Sequence, residues 1–161
     1  MAKALWTGLD DIENALLTLP KLMSDDLRSA ANTGATIVKN EVVRRAPEDK
    51  GILKSAIYQK HIPELSSPDR QVYYVSWRKG KNSATDAYYG VWVEYGHWYV
   101  PEKGSGVRWK PHREQNRTVF VPAHPYLRPG FEASKNPAIV AMRETLAINV
   151  QKTIAEFYKN D

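Results

Sequence analysis

His97 follows Glu94 by three residues, His112 and Glu114 lie a short way on, and His124 follows a short apolar run. Imidazole and carboxylate groups are ligands for zinc and manganese, so metal chemistry would be sought here first. A metal-dependent nuclease would need His97, His112 and Glu94 to converge on an ion that activates water. The spacing fits no metal-ligand signature, and the residues fall in segments that read as loops. Other carboxylates are scattered, many on helix surfaces. Exposed or interface histidines are therefore the favoured reading, and no metal or cofactor is expected.

Other chemistry is absent from the pattern. There is no dinucleotide fingerprint, phosphate-binding glycine loop or paired-histidine zinc helix. There is no nucleophile elbow. Cysteine is lacking altogether, which excludes disulfides, thiolate metal sites and a cysteine nucleophile. A catalytic role is not expected.

The aromatic residues are more informative. Tyr88, Tyr89, Trp92, Tyr95, Trp98, Tyr99 and Trp109 crowd into little more than twenty positions. A small domain cannot easily bury all of them. Aromatic rings with a polar tip are enriched at protein interfaces. These residues, with Glu94 and Arg128, form the expected interface. Filling of the core is the competing reading. Stacking on single-stranded nucleic acid is a third, but little positive charge interleaves the cluster.

The net charge is +5, from 23 basic and 18 acidic side chains. This is mildly basic, where a dedicated nucleic-acid binder carries a denser patch. The most basic stretches are Arg78-Lys79-Gly80-Lys81 and Arg108 to Arg113. Both read as loops, either solvated or facing DNA or an acidic partner. No apolar run is long enough to span a membrane, and the first residues do not resemble an export signal.

The elements that must position these residues follow from periodicity. Leu9, Ile12, Leu16 and Leu19 recur at helical spacing, and Pro20 is expected to end that helix and start another. Met23, Leu27, Ala30, Ala31, Gly34, Ile37, Val38 and Val42 then form a 3.6-residue stripe, closed by Pro47. Gly34 is expected to permit close contact with a sheet. A strand is predicted over about 57–62 and another over 72–77, the latter bulky on both faces and so covered on both. The segment 88–95 reads as strand or short helix, ending at Gly96. Residues 97–117 read as a long loop, 118–121 as a short strand. A short helical turn carrying Leu127 and Phe131 is expected next. Asn136 and Pro137 should then open a last helix with Ile139, Met142, Leu146, Val150, Ile154 and Phe157 in its stripe. The whole reads as one α+β domain over 1–161, with terminal helices packed on a small, mostly antiparallel sheet.

Three segments carry a resemblance. Arg45-Ala46-Pro47-Glu48-Asp49-Lys50-Gly51-Ile52-Leu53-Lys54-Ser55-Ala56-Ile57 resembles a segment of bacteriophage tail-completion, or head–tail joining, proteins, the minor tail components of long-tailed double-stranded DNA phages and prophages. There a long helix ends in Ala-Pro, followed by Asp-Thr-Gly, a leucine and Ser-Ile. Tyr88-Tyr89-Gly90-Val91-Trp92-Val93-Glu94-Tyr95-Gly96 is similar to that family's tyrosine-rich stretch ending in Glu-Phe-Gly-Thr. Pro122-Ala123-His124-Pro125-Tyr126-Leu127-Arg128-Pro129-Gly130 is similar to its Pro-Ala-x-Pro-Phe-Leu-Arg-Pro-Ala. The departures are Lys50 for threonine, Ala56 for serine, His97 for threonine and Gly130 for alanine. The long loop after His97 also has the look of an insertion.

The motif residues have a physical reading of their own. Pro47 stops the helix and Gly51 allows a tight turn. Leu53 and Ile57 anchor the chain to the core, and Gly96 ends the tyrosine-rich element. Pro125 and Pro129 stiffen the approach to the last helix, beneath which Tyr126 and Leu127 pack. Arg128 is expected to pair with Glu94 or to hold a neighbouring subunit.

The resemblance implies a structural virion protein at the tail or head–tail junction. It would assemble in the host cytoplasm with other tail or connector proteins, as a homo-oligomer or ring near double-stranded DNA, with no membrane partner. The alternatives are a DNA-binding accessory protein of a mobile element and the metal-dependent nuclease considered above.

Overall fold

The computed structural model describes residues 3–48, 50–80, 87–99 and 119–157, with side chains described from residue 23 to residue 156 within those ranges. The first helix, α1, spans Lys3–Arg45. At 1.5 Å per residue it is roughly 65 Å long. Pro20 lies inside it, so the expected restart does not occur. A proline removes one backbone hydrogen bond and crowds the carbonyl four residues back. In so long a helix, the bonds on either side carry the chain through.

After Pro47, Gly51 adopts a left-handed φ of 72° and turns the chain into a one-turn helix, α2 (Ile52–Ala56). Strand β1 (Ile57–His61) follows directly and pairs antiparallel with β2 (Tyr73–Trp77). Ile57 lies opposite Trp77, Gln59 opposite Val75 and His61 opposite Tyr73. The odd-numbered residues of both strands face α1. Gln59 Nε2 donates to Asn32 Oδ1 and Thr36 Oγ1, both at 2.9 Å. Gln71 Nε2 donates to Ser24 Oγ, and the same amide's oxygen meets His61 Nε2 at 2.9 Å. Polar groups on α1 thus align the ribbon against the helix. The even-numbered face points away, and its Tyr74 is half exposed. The ribbon is covered on one face only by the described chain, where cover on both was expected.

Helix α3 (Gly90–Tyr95) resolves the ambiguous aromatic stretch as helix. Gly96 follows with φ 75°. The chain then enters β3 (His97–Tyr99), antiparallel to β4 (Val119–Val121). The start of the expected long loop is therefore strand, because Val119, Phe120 and Val121 supply the partner that its alternating residues need. The rest of that loop, with Trp109, His112 and Glu114, lies outside the described residues. The expected small sheet is thus two separate two-stranded antiparallel ribbons among the described residues.

The last helix, α4, runs unbroken over Leu127–Phe157 with Pro137 inside. Two helices were expected there. The seam with α1 explains the continuity: Gly130, Ser134 and Ala138 are all buried at four-residue spacing on either side of Asn136. The register is antiparallel, with Gly130 against Val42, Gly34 against Met142, and Thr153 Oγ1 donating to Asp26 Oδ2 at 2.9 Å. Gly34 therefore serves a helix–helix contact and not the expected contact with a sheet. The fully buried residues of α4 are small; of the expected stripe, Met142, Leu146 and Val150 are half-buried, whereas Ile139 and Ile154 are exposed. Small residues at the seam let the two helices approach closely.

The core lies at the C-terminal end of α1. Val42, Ala46, Leu53, Ala56, Ile57, Ala87 and Tyr126 form it, with Val75, Trp77, Tyr89, Val93 and Leu127 packed around them. The arrangement is α+β, with N- and C-terminal helices packed around a small antiparallel sheet region.

Candidate functional site: an aromatic surface around α3

Helix α3 is short, and neighbours on both sides hold it in place. At its start, a Cβ on Gly90 would lie 2.7 Å from Trp77 Nε1, so only glycine lets the helix sit against the indole. At its end, a Cβ on Gly96 would lie 2.9 Å from both Phe120 Cζ and the Val121 carbonyl oxygen. Positive φ and lack of space together require glycine there.

Glu94 supplies the third constraint. It is 5% exposed. Its Oε2 accepts the backbone N–H groups of Tyr126 (2.8 Å) and Leu127 (2.9 Å), and its Oε1 accepts that of Arg128 (3.1 Å). These are among the donors that a helix start leaves without intrahelical partners, and a negative charge there also meets the positive end of the helix dipole. No Ser, Thr, Asp or Asn precedes Leu127 to serve as a local cap, so a carboxylate from a distant helix does so. The side chains of Glu94 and Arg128 form no ion pair; the link runs through the arginine's backbone. Tyr126 is fully buried, and its hydroxyl donates to the Gly90 carbonyl at 3.4 Å. Burial, reinforced by the nearby charge of Glu94 and by Tyr89, pushes its phenol well above the ordinary value of 10.

The outer side of α3 is aromatic. Tyr88 packs edge-on against Tyr89 and Trp92, with centroids 5.9 and 5.3 Å apart. Trp92 stacks on His97 at 5.4 Å, and Trp98 meets Phe120 across the β3–β4 ribbon at 5.2 Å. Tyr95 is 63% exposed and Trp98 62%, while Tyr88, Trp92, Tyr99, Val119 and Phe120 are each about half exposed. Beside Tyr95 an apolar groove of about 590 Å³ runs between α1, β2 and α4, lined in part by Ala31, Val38, Tyr73, Val75, Phe131 and Ile139.

Of the residues expected at an interface, Tyr88, Trp92, Tyr95, Trp98 and Tyr99 are exposed on α3, the turn before it and β3, with Tyr88 and Trp92 in contact and Trp98 on the opposite face of its strand from Tyr99. Tyr89 is half buried against the core. Glu94 is buried and engaged within the chain, so it is not available to a partner or a metal. Arg128 is exposed at the start of α4. Of the motif residues, Leu53, Ile57 and Tyr126 are buried in the core, Leu127 is packed against it, and Pro47 and Pro125 are exposed where the chain turns. Pro129 stands in the first turn of α4, where its missing N–H costs least.

His97 and His124 line one cleft of about 290 Å³ together with Glu48. Among the described residues, no group of three or more His, Asp or Glu side chains is arranged to hold a metal. The nuclease reading loses Glu94 to the helix cap, and its remaining partner, His112, lies outside the described residues. No described helix is long and apolar enough to cross a membrane.

No significant similarity connects the chain to a curated protein or to a solved structure. A family comparison does find a match. Residues 10–96, more than half of the chain, match the HK97-gp10-like family, described as bacteriophage HK97-gp10 tail components. The matched region runs from α1 through α3 to Gly96 and contains the first two of the three motifs. The third, Pro122 to Gly130, lies beyond it and is tied to the second by the backbone hydrogen bonds that Glu94 accepts. The chain belongs to the HK97-gp10-like family of bacteriophage tail components.

Proposed function

We propose that this structural tail-completion protein acts in the virion at the tail or head–tail junction, assembling with neighbouring tail or connector proteins through the surface centred on Tyr95 and Trp98. The observation that carries the reading is the exposure of five large aromatic side chains, Tyr88, Trp92, Tyr95, Trp98 and Tyr99, on neighbouring elements anchored by Glu94, Gly90 and Gly96. Large aromatic groups lose little conformational freedom on binding and bury much area, so they dominate interface energetics. A rigid support means that little ordering remains to oppose binding. The role is architectural: surface complementarity selects the partner, and closed symmetry of repeated copies would limit growth.

The test is the absolute mass of the purified protein, alone and mixed with tail-tube or head-connector protein. A defined higher-mass species in at least one mixture is expected. Failure to associate with any tail or head protein would overturn the proposal.

A further inference from the structure

Two features of the chain match one another, yet they lie on one rigid element and cannot meet. The first is the apolar groove between α1, β2 and α4, about 590 Å³ in volume, with Ala31, Val38, Tyr73, Val75, Phe131 and Ile139 among its walls. Its rim is open, with Phe131 51% exposed and Ile139 43%. The charged residues that line it are Glu94, Arg128 and Lys135. Glu94 is taken up by the cap on α4, and Lys135 is bound to Glu132. Arg128 is left as an exposed cation with no ion pair to any described residue. It stands at the end where Gly130 meets Val42.

The second feature is the N-terminal part of α1. Thr153 Oγ1 meets Asp26, and α4 ends four residues later at Phe157. At helical spacing, α4 therefore faces α1 only down to about residue 22. Helix α1 continues back from there to Lys3. In that stretch the spacing of Leu9, Ile12, Leu16 and Leu19 places them on one helical face. The charged residues between Leu9 and Leu19 are Asp10, Asp11 and Glu13, with no base among them.

Leu9 to Leu19 covers about 15 Å of helix axis, and Ala31 to Val42, the α1 wall of the groove, covers about 16 Å. Stripe and groove thus agree in length and apolar character, and the acids of one complement the arginine of the other. Within one chain they are held apart, because both lie on the same unbroken helix with about 18 Å of axis between Leu19 and Ala31. The stripe reaches the groove only from another copy.

We infer that the α1 segment Leu9–Leu19 of one copy docks, apolar face inward, into the α1–β2–α4 groove of a second copy, its acidic end towards Arg128. A helix laid in an apolar groove is anchored at i, i+3 and i+7 positions, the spacing of Leu9, Ile12 and Leu16. The contact joins two different surfaces, so every copy both gives a helix and receives one. Such head-to-tail contacts close into rings or run on as filaments. The inference draws on the sequence and fold alone and does not depend on the tail-component reading.

The experiment measures the mass of the full chain by sedimentation equilibrium up to about 100 µM. Wild type should rise above the monomer mass as concentration increases. A helix variant, Ile12→Asp with Leu16→Asp, and a groove variant, Phe131→Asp with Ile139→Asp, should each weaken association at least about tenfold. Mixed in equal amounts, the two variants should form a one-to-one pair that grows no further, because the first still offers a groove and the second a helix. Thermal melts establish that both variants are folded, and Ile139→Ser replaces the double groove variant if that chain does not melt cooperatively. Folded variants that fail to pair would overturn the inference. So would a groove variant that associates as wild type does, since the helices would then pair with each other. Wild type that stayed monomeric but joined tail-tube protein would also overturn it, while leaving the proposed function standing.

Discussion

The Glu94 carboxylate accepts the backbone N–H of Tyr126 at 2.8 Å and so joins α3 to the start of α4. The two residues are 32 positions apart, on segments separately recognisable in the sequence. With Leu127 and Arg128 also donating, one buried side chain fixes α3 against the start of α4.

Glu94→Gln should therefore destabilise the protein. The amide oxygen can replace only part of the carboxylate's accepting capacity, and the charge at the helix start is lost. A cost of about 1.5–3 kcal/mol is expected, from the size of hydrogen bonds to charged groups. Glu94→Ala should cost more, because the N–H groups lose their acceptor. Chemical denaturation measures both, and stability equal to wild type in either variant would contradict the capping role.

Tyr126 gives a prediction at high pH. Its phenol is raised above 10 in the folded chain, mainly by burial. Below pH 10 the phenol is protonated in folded and unfolded states alike, so its contribution to stability is complete. Above that value the unfolded state ionises first and stability falls, by up to about 1.4 kcal/mol per pH unit. Tyr126→Phe should cost about 1 kcal/mol or less at neutral pH, as the lost hydrogen bond is long. The variant should lose stability less steeply than wild type above pH 10. Identical alkaline profiles would show that Tyr126 does not govern this region.

The seam between α1 and α4 separates two glycines. A Cβ on Gly130 would lie 2.8 Å from Val42 Cγ2 and 3.0 Å from Val42 Cα, so relief requires the helices to part. A Cβ on Gly34 would meet Met142 Cγ and Sδ at 2.6 Å, and methionine can change rotamer. Gly130→Ala should thus cost about 1–3 kcal/mol through overpacking. Gly34→Ala should cost less, because its neighbour is a flexible methionine side chain and not backbone; the gain in helix propensity of about 1 kcal/mol applies at both helical positions. Thermal melts of the two variants would decide the order, and a more stable Gly130→Ala would refute the close crossing. The resembling family has alanine where this chain has Gly130; here Val42 takes up that space.

Trp98→Ala and Tyr95→Ala should leave folding nearly unchanged, since both side chains are mostly exposed. Each should weaken association with the tail or connector partner by about tenfold or more, the level of a strong interface residue. A large drop in melting temperature with association intact would make these residues part of the fold and not of an interface.

The sequence revealed the structure unevenly. The long helical stripe, the two strands of the first ribbon and the core positions Val42, Leu53 and Ile57 were legible because periodicity and turn residues are local signals. The prolines misled: Pro20 and Pro137 read as helix breaks, whereas continuous helix runs through both. At Pro137 the small-residue seam on either side overrides a local cost. His97 to Tyr99 looked like loop because the partner strand is distant in sequence and only three residues long. The aromatic surface was legible from composition, but the role of Glu94 was not. The available signal was an absence, a helix starting at Leu127 with no capping residue before it.

The central claim is tested most directly in a host that produces particles from the phage or prophage encoding this chain. Deleting its coding sequence should leave filled heads and tails that fail to join or finish, visible by electron microscopy. Wild-type protein supplied in trans should restore complete particles, whereas the Trp98→Ala form should restore few. Normal, infectious particles from the deletion strain would contradict the account.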